Sequence, residues 1–540
     1  VELAPVAERL SAWLGPVVPP SRLPRFEISY AGGTTKYLDT FFGSEATLAP
    51  ESLPTDLSLY DVVHVVPLGD ARRQLAFIEA CRSRGAGRIS AGTYVDSVRA
   101  NTAAVRKIHA ATDVFFLNRD EAVALFGSIE AARTSPGKLL FITLGPEGAL
   151  VIQGEHVTHV PSVPATQRDP SGAGDTFCGA TLAGLIRHQH PVMAARGGTA
   201  LAAAEIAGVG PSALFSDEPL SDGPDGGVVV DEAQVERVAR LLAGLGEVAP
   251  FDFTGDGLPP VGDPRALDFF FATTLQQFGF WSETEGRYGA PLVATLGGAS
   301  LKGAFYLFGA FHRRLEKEGD FCSPARQARL GREELLDVLR ADDGGDPMPA
   351  LDLHLALANA YGRDVEALGL SPASILALAR ASDQPLQIFL SALDRIAGYK
   401  EDPLRKKSGL LALILHQRPE AFLPFGDGED VEPVIDYHLM RSCLRTGLVE
   451  VRDERLRAAI EARRVVDEDA EWAVRHAAWR AIQRVIELSG KSTGAVDWFF
   501  FNARRRCPEM TEPECGRCPL DPVCAHRTRM FQPVYRTTFY

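Results

Sequence analysis

The sequence predicts two domains of unlike class: an α/β half over residues 1–210 and a nearly all-α half over residues 228–540, with a linker at 211–227 between them. Three observations carry this. In the first half, short β-rich apolar runs alternate with helical patterns, as in a mostly parallel sheet covered by helices. The stretch PSALFSDEPLSDGPDGG, 211–227, is dense in Pro, Gly, Ser and Asp, the composition of a connector. Beyond it, apolar residues recur at helical spacing.

Taken in order, LYDVVHVVPL, TDVFFLN, KLLFITLG and GALVIQ read as strands, often bounded by Gly or Asn. NRDEAVALFG and GAGDTFCGATLAGLIRH read as helices. After the linker, DEAQVERVARLLAGL places Val235, Val238, Leu241 and Leu242 on one helical face. ALDLHLALANAYG, SPASILALARA, LQIFLSALDRIAG, SGLLALILHQ and AEWAVRHAAWRAIQRVIELSG continue that pattern, without an internal repeat or a low-complexity tract.

The chain is 46% hydrophobic and 23% charged, enough to build a sizeable core. It has no uncharged apolar run of about 18 residues, so no membrane span is expected. VELAPVAERLSAWLG, at the start, carries acids and lacks the basic region of a signal peptide, which points to a cytoplasmic setting. The net charge of −14 argues against a surface tuned to duplex DNA, because phosphate neutralisation dominates such affinity. Of the eight cysteines, Cys81, Cys178, Cys322 and Cys443 are scattered and read as reduced thiols.

DPSGAGDTF, Asp169 to Phe177, sets small residues at the start of an apolar helix. Such a turn presents backbone N–H groups at the positive helix end, an anion site. The adjacent Asp175 can take the proton of a hydroxyl that attacks a phosphoryl group. The whole string resembles the C-terminal signature of the ribokinase-like (PfkB) sugar and nucleoside kinases. NRDE, with Asn118 and Glu121, is similar to the Asn-x-x-Glu of that family. ITLGPEGAL, with Thr143, Gly145 and Gly148, is similar to its strand and turn beside the nucleotide, and GGTALAAA to the helix near its adenine.

The resemblance implies Asp175 as catalytic base, Gly172, Ala173 and Gly174 as the anion hole, and Asn118 and Glu121 at the magnesium and phosphate site. ATP and magnesium are implied with them. FEISYAGGTTKYLDTFFG resembles the lid of these kinases, which implies a homodimer through the lid sheet. Kinases of this family usually carry their first strands and a Gly-Gly substrate motif before the point that matches Val1, so the kinase domain is expected to be N-terminally truncated: a fragment, a degenerate kinase, or one whose pocket another element completes. A retained fold without phosphorylation stays open as the alternative.

Cys507, Cys515, Cys518 and Cys524 give C-x7-C-x2-C-x5-C, with Pro508, Pro513, Pro519 and Pro522 stiffening the loop. Four thiolates this close suit a tetrahedral metal or a cubane cluster, and a disulfide fits a cytoplasmic chain poorly. Spacing alone leaves zinc and iron–sulfur open. The pattern resembles the C-terminal [4Fe-4S] loop of endonuclease III-like DNA glycosylases, with one extra residue in the first gap, which implies a structural [4Fe-4S] cluster. The Leu-Pro-Gly-Val-Gly type hairpin of those enzymes is not found.

More of the second half resembles the queuosine salvage proteins, the queuosine 5′-phosphate N-glycosylases, which implies an all-α, helix-hairpin-helix glycosylase-like fold. ALDFFFATTLQQFGFWSE, VVVDEAQVERVARLLAGL, VIDYHLMRSCLRTGLVEV, GAVDWFFFNARR and HRTRMFQPVYRTTFY are each similar to segments of that family. N-glycosidic cleavage passes through a cation-like sugar, so it needs a carboxylate near the anomeric carbon and aromatic faces for the base. By resemblance Asp436 stabilises or attacks the anomeric carbon and Asp497 contacts the base. Gln277, Phe278, Phe280 and Trp281 offer base-binding surface, His438 stands where the family has Arg, and Lys406 and Lys407 are placed for a 5′-phosphate. Plainer readings stay open: Asp497 as a helix-start residue, Phe280 and Trp281 as core, His438 as a partner on a helix face, and the lysines as a solvated turn.

Together the halves imply a bifunctional salvage enzyme for a modified, queuosine-like nucleoside: phosphorylation with ATP, then hydrolysis of the monophosphate to free base and ribose 5-phosphate. The alternatives are an iron–sulfur glycosylase acting on DNA or RNA, with Arg504–Arg506 as its support, and a kinase-fold module serving only dimerisation or sensing.

Overall fold

The computed structural model describes residues 9–12, 17–31, 34–215, 227–246 and 248–540. The chain divides into two compact units, Val1–Gly223 and Pro224–Tyr540. Most of the expected linker lies outside the described residues. Its start, within Gly210–Phe215, is a short 3-10 helix, and the first strand of the second unit begins at Val228.

In the first unit, β1 (Arg25–Ala31) and β2 (Thr34–Phe41) form an antiparallel pair of their own. The main sheet runs β3 (Val63–Val65), β4 (Ile89–Gly92), β5 (Val114–Asn118), β6 (Leu139–Thr143), β7 (Ala149–Gln153) and β8 (His156–Val160) in that order. Pairing is parallel from β3 to β6 and antiparallel from β6 to β8. The expected mostly parallel sheet is therefore mixed. The link from Thr143 to Ala149 is too short for a crossover helix, so β7 must fold straight back. Gly148 makes the turn at φ +97, where an added Cβ would lie 2.0 Å from the Val160 carbonyl oxygen; only glycine fits.

Phe115 and Leu117 of β5 join one apolar core, while Val114 and Phe116 join another. Successive strand residues point to opposite faces, so a strand buried on both reads as an unbroken apolar run. The Ala173–Ile186 helix covers the second face with Phe177, Leu182 and Leu185.

The second unit is mostly helical, but three antiparallel strand pairs correct the nearly all-α expectation. Val228–Val230 pairs with Val449–Val451, Trp281–Thr284 with Arg287–Pro291, and Val293–Leu296 with Ala299–Lys302. Glu285–Gly286 and Gly297–Gly298 turn the two hairpins in left-handed conformation, with φ between +51 and +79, as tight hairpin loops require.

Two apolar cores fill this unit. Phe269, Phe270 and Phe271 of the Ala266–Thr274 helix are wholly buried in one. Met440 and Leu444 of the Tyr437–Thr446 helix pack with Val238 and Ile482 in the other. Asp402 and Arg475 form a buried bidentate pair at 2.7 and 2.8 Å. Asp402 also accepts from the backbone N–H groups of Leu404 and Lys406, which offsets the cost of burying its charge. It thereby fixes the start of the Lys406–Gln417 helix. Among the described residues no helix is long and apolar enough to cross a membrane.

Candidate functional sites

The Ala173–Ile186 helix starts from Gly172 at φ +89 with no side-chain cap. Its first N–H groups lack intrahelical acceptors, and Gly172, Gly174 and Asp175 line a cavity of about 1080 Å³. Asp175 opens to that cavity, yet the surrounding protein displaces enough water to push its carboxyl above the usual range. Asn118 ends β5 and caps the Arg119–Phe126 helix, its Oδ1 accepting from Glu121 N–H at 2.9 Å. Glu121 returns the bond, accepting from Asn118 N–H at 2.8 Å and Asn118 Nδ2 at 2.7 Å. Burial pushes the Glu121 carboxyl up to about 7, and the nearby Asp120 and Asp175 charges add to the shift.

Thr143 also lines the cavity. Gly145 and Gly148 shape the turn behind it, and Ala173 contributes the first residue of the helix; the three lie outside the lining. Glu205, which the sequence did not single out, lies 3.2 Å from where a Gly172 Cβ would stand. Its Oε2 is buried without a hydrogen-bond partner. Magnesium fits this set, because Asp175, Glu121 and Glu205 offer hard oxygens, and the Asp175 charge raises the pKa of both glutamates.

In the second unit a cavity of about 120 Å³ lies where the two cores meet. Phe280 and Phe308 line it from one core, Tyr437 and Tyr540 from the other. Asp436 and Asp497 both line it. Asp436 caps the Tyr437–Thr446 helix, accepting from Leu439 N–H at 2.9 Å. Asp497 is not a helix-start residue: Ser492 caps the Thr493–Ala503 helix, and Asp497 stands inside it. Burial, then the Asp436 charge, pushes the Asp497 carboxyl up to about 7, against the pull of Lys406 and Arg504.

Lys406 and Lys407 are buried, not part of a solvated turn. Lys406 lines the cavity, and burial lowers its pKa while Asp436 and Asp497 hold it up. Lys407 points elsewhere: it donates to the Leu275 carbonyl at 3.0 Å and lies over the Phe278 ring. Phe278 stacks on His354 with ring centres 4.1 Å apart, and Trp281 stacks on Tyr288 at 5.4 Å. These three therefore belong to the packing, away from the cavity lining. Gln277, Phe280 and His438 do line it. His438 Nδ1 accepts from Arg441 Nη2 at 3.0 Å, and burial with the nearby cations holds its pKa well below the usual value.

Lys302, Phe251, Trp498 and Phe501 also line the cavity and escaped the sequence reading as site residues, and Arg504, which the sequence offered only as support for nucleic-acid binding, lines it too. One signal was available. Asp497, Phe501 and Arg504 are spaced i, i+4, i+7 on one helical face, whereas Phe499 and Phe500 turn into the core.

The four loop cysteines are free and half-buried. Each of Cys518 and Cys524 has its pKa raised first by burial and further by neighbouring loop cysteines. Arg445 Nη1 donates to Cys507 Sγ at 3.2 Å. Such a set, four thiols within reach of one another's charge and a cationic donor, fits a metal or iron–sulfur group.

Residues 59–217 match the profile of the pfkB family carbohydrate kinases, so the first unit carries a PfkB-type carbohydrate kinase domain of ribokinase-like α/β fold. The second resemblance is to a particular enzyme: 141 residues, 25% of this chain and 40% of the relative, are 28% identical to queuosine 5′-phosphate N-glycosylase/hydrolase of Bos taurus. A further 67 residues, 12% of this chain and 22% of the relative, are 36% identical to a Pyrococcus horikoshii protein assigned to the sugar kinases. The chain thus spans less than half the length of either curated relative. Among solved structures, adenosine kinase of Sinorhizobium meliloti is 22% identical, with 35% of this chain and 62% of that one covered at a TM-score of 0.30. Thermotoga maritima ribokinase is 21% identical, with 35% and 64% covered at 0.29.

Proposed function

We propose that the chain salvages a modified, queuosine-like nucleoside in two steps. In the first, the nucleoside 5′-hydroxyl loses its proton to Asp175 and attacks the terminal phosphoryl group of ATP, giving the 5′-monophosphate and ADP. The helix-start N–H groups at Gly172–Gly174 receive the transferring phosphoryl oxygens. Asn118, Glu121 and Glu205 would hold magnesium, which neutralises phosphate charge when bound.

In the second step water replaces the base at the anomeric carbon, releasing free base and ribose 5-phosphate. Asp436 offers negative charge to the developing sugar cation, and Asp497, protonated up to about 7, gives a proton to the departing base. Phe280, Trp498 and Phe501 present rings for the base. Gln277 Nε2, buried without a partner, is free to donate to an acceptor on it. The observation that carries this reading is the pair Asp436 and Asp497 in one aromatic-walled cavity, with Lys406 beside them.

The loop cysteines are read as ligands of a [4Fe-4S] cluster that staples the end of the unit, with zinc as the alternative.

The test is anaerobic purification, then incubation with queuosine and with queuosine 5′-monophosphate, each with and without ATP and magnesium, reading free base by mass spectrometry. Base from the monophosphate alone, and from the nucleoside once ATP is added, is expected. Base from the monophosphate but never from the nucleoside would remove the kinase step. No base from either would overturn the queuosine assignment.

A further inference from the structure

The cysteine loop reaches further than its thiols. Two residues after Cys507 stands Glu509, with 2% side-chain exposure. Its Oε2 accepts from the Tyr288 hydroxyl at 2.9 Å, and its Oε1 pairs with Lys302. Arg441 lies 3.6 Å from Oε2. A buried carboxylate with three such partners is not a solvated loop charge; the loop inserts it into the unit.

Both cations it holds lead to the cavity. Lys302 lines it directly. Arg441 donates from Nη2 to Nδ1 of His438, which lines it, and from Nη1 to Gln532 Oε1 at 2.6 Å. Because Arg441 keeps Nδ1 as an acceptor, a neutral His438 carries its proton on Nε2. The same helix supplies the rest of the connection. Asp436 caps it, His438, Arg441 and Arg445 are spaced i, i+3, i+7 along it, and Arg445 grips Cys507 Sγ and the Pro508 carbonyl.

We infer that Glu509 is a positioning residue through which the cysteine loop sets the place of Lys302 and the tautomer of His438 in the cavity. The inference takes the cavity as the base-releasing site of the proposed function. Without the carboxylate, Lys302 and Arg441 lose the counter-charge between them and repel each other, Lys302 swings toward solvent, and Arg441 no longer fixes the imidazole.

The experiment uses the full chain with its loop metal retained. Glu509→Gln keeps the side chain's shape and removes its charge; Glu509→Asp keeps the charge and shortens the reach. Three readouts are taken: metal content with the visible absorption spectrum, the imidazole ¹⁵N signals of His438 assigned by a His438→Gln variant, and kcat and KM on queuosine 5′-monophosphate. With metal unchanged, Glu509→Gln is expected to shift the His438 signals and lower kcat/KM roughly 10-fold to 100-fold, the range for losing a buried orienting partner. Glu509→Asp should restore part of both.

Unmoved His438 signals in a metal-replete Glu509→Gln protein would overturn the inference. If the unaltered protein releases no base, the proposed function fails, and the His438 signals alone decide the positioning role. If Glu509→Gln sheds its metal, Lys302→Met and Arg441→Lys probe the same connection from outside the loop. Silence of the His438 signals in both would overturn it equally.

Discussion

The two cavities solve the same problem, holding a carboxylate at the right protonation, by opposite means. In the kinase unit the cavity is wide, about 1080 Å³, and its chemistry is packed into one string: Gly172, Gly174 and Asp175 are nearly consecutive. In the second unit the cavity is about 120 Å³, and its carboxylates come from a helix cap at Asp436 and a mid-helix position at Asp497. The first site relies on backbone N–H groups and clustered acids; the second on aromatic walls and buried cations. The lesson is that one site's groups can come from a local turn, whereas the other's converge from distant segments.

Breaking this comparison most sharply means removing one carboxylate at a time. Asp436→Asn should lower base release from the monophosphate by roughly 10²–10⁴-fold and leave nucleoside phosphorylation intact. Asp175→Asn should do the reverse, by a similar factor. Separate assays of ADP formation and of free base decide it. A variant that lowers both activities would show that the two chemistries are not divided between the units.

The next largest effect is a dependence on pH. Asp497 has its pKa raised to about 7 by burial and by Asp436, whereas an unfolded aspartate titrates near 4. The folded state therefore keeps a proton that the unfolded chain has released. This contributes stability fully present below about 4 and lost as pH rises through about 7. Base release that needs this proton should fall along the same limb. Asp497→Asn should flatten the stability limb by on the order of 4 kcal/mol at most. Glu471, also pushed up to about 7, should keep part of the slope. Melting temperatures from pH 5 to 8, with kcat/KM over the same range, measure both; an unchanged slope in Asp497→Asn would discount the raised carboxyl.

The same contrast explains what could be read from the chain. DPSGAGDTF brings Gly172, Gly174 and Asp175 to one cavity because they are neighbours in sequence, so that convergence was legible. The mixed sheet was not, because the fold-back after Thr143 depends on the length of one turn while apolar runs look alike in parallel and antiparallel strands. The hairpins at 281–302 were missed although Glu285–Gly286 and Gly297–Gly298 carried a turn signal. At the second site Asp436 and Asp497 stood out as acids among aromatics, but side-chain direction did not. Phe278, Trp281 and Lys407 turn away from the cavity, while Lys302 and Phe251 reach it from segments with no motif.

Loss of the metal proposed for the cysteine loop should act on one unit. Cys518→Ser is expected to destabilise the 224–540 unit by roughly 3 kcal/mol or more, since a loop held by ligands loses its closure. Phosphorylation by the first unit should be untouched. Differential scanning of the two units' transitions, beside ADP formation, checks it, and an unchanged melt with metal gone would reduce the loop to an ornament.

The smallest effect tests the aromatic wall. Phe251 lies parallel to Trp498 with ring centres 4.6 Å apart, Trp498 stacks on Phe501 at 5.4 Å, and the Arg504 guanidinium caps that ring at 3.7 Å. Phe253, edge-on to Phe251 at 4.9 Å, takes a left-handed φ of +51, unusual for a phenylalanine. It is held there by buried Arg418, which donates to its carbonyl at 2.6 Å. The loop is therefore fixed against the cavity at a cost in backbone strain, which makes sense if its ring helps shape the base pocket. Phe251→Ala removes one aromatic face and leaves the charged groups alone. It should raise KM for the monophosphate about fivefold, near 1 kcal/mol, with kcat little changed, because stacking holds the base equally before and during bond cleavage. A fall in kcat at constant KM would instead place the ring's contribution in the transition state, and the two cavities would then differ less than their walls suggest.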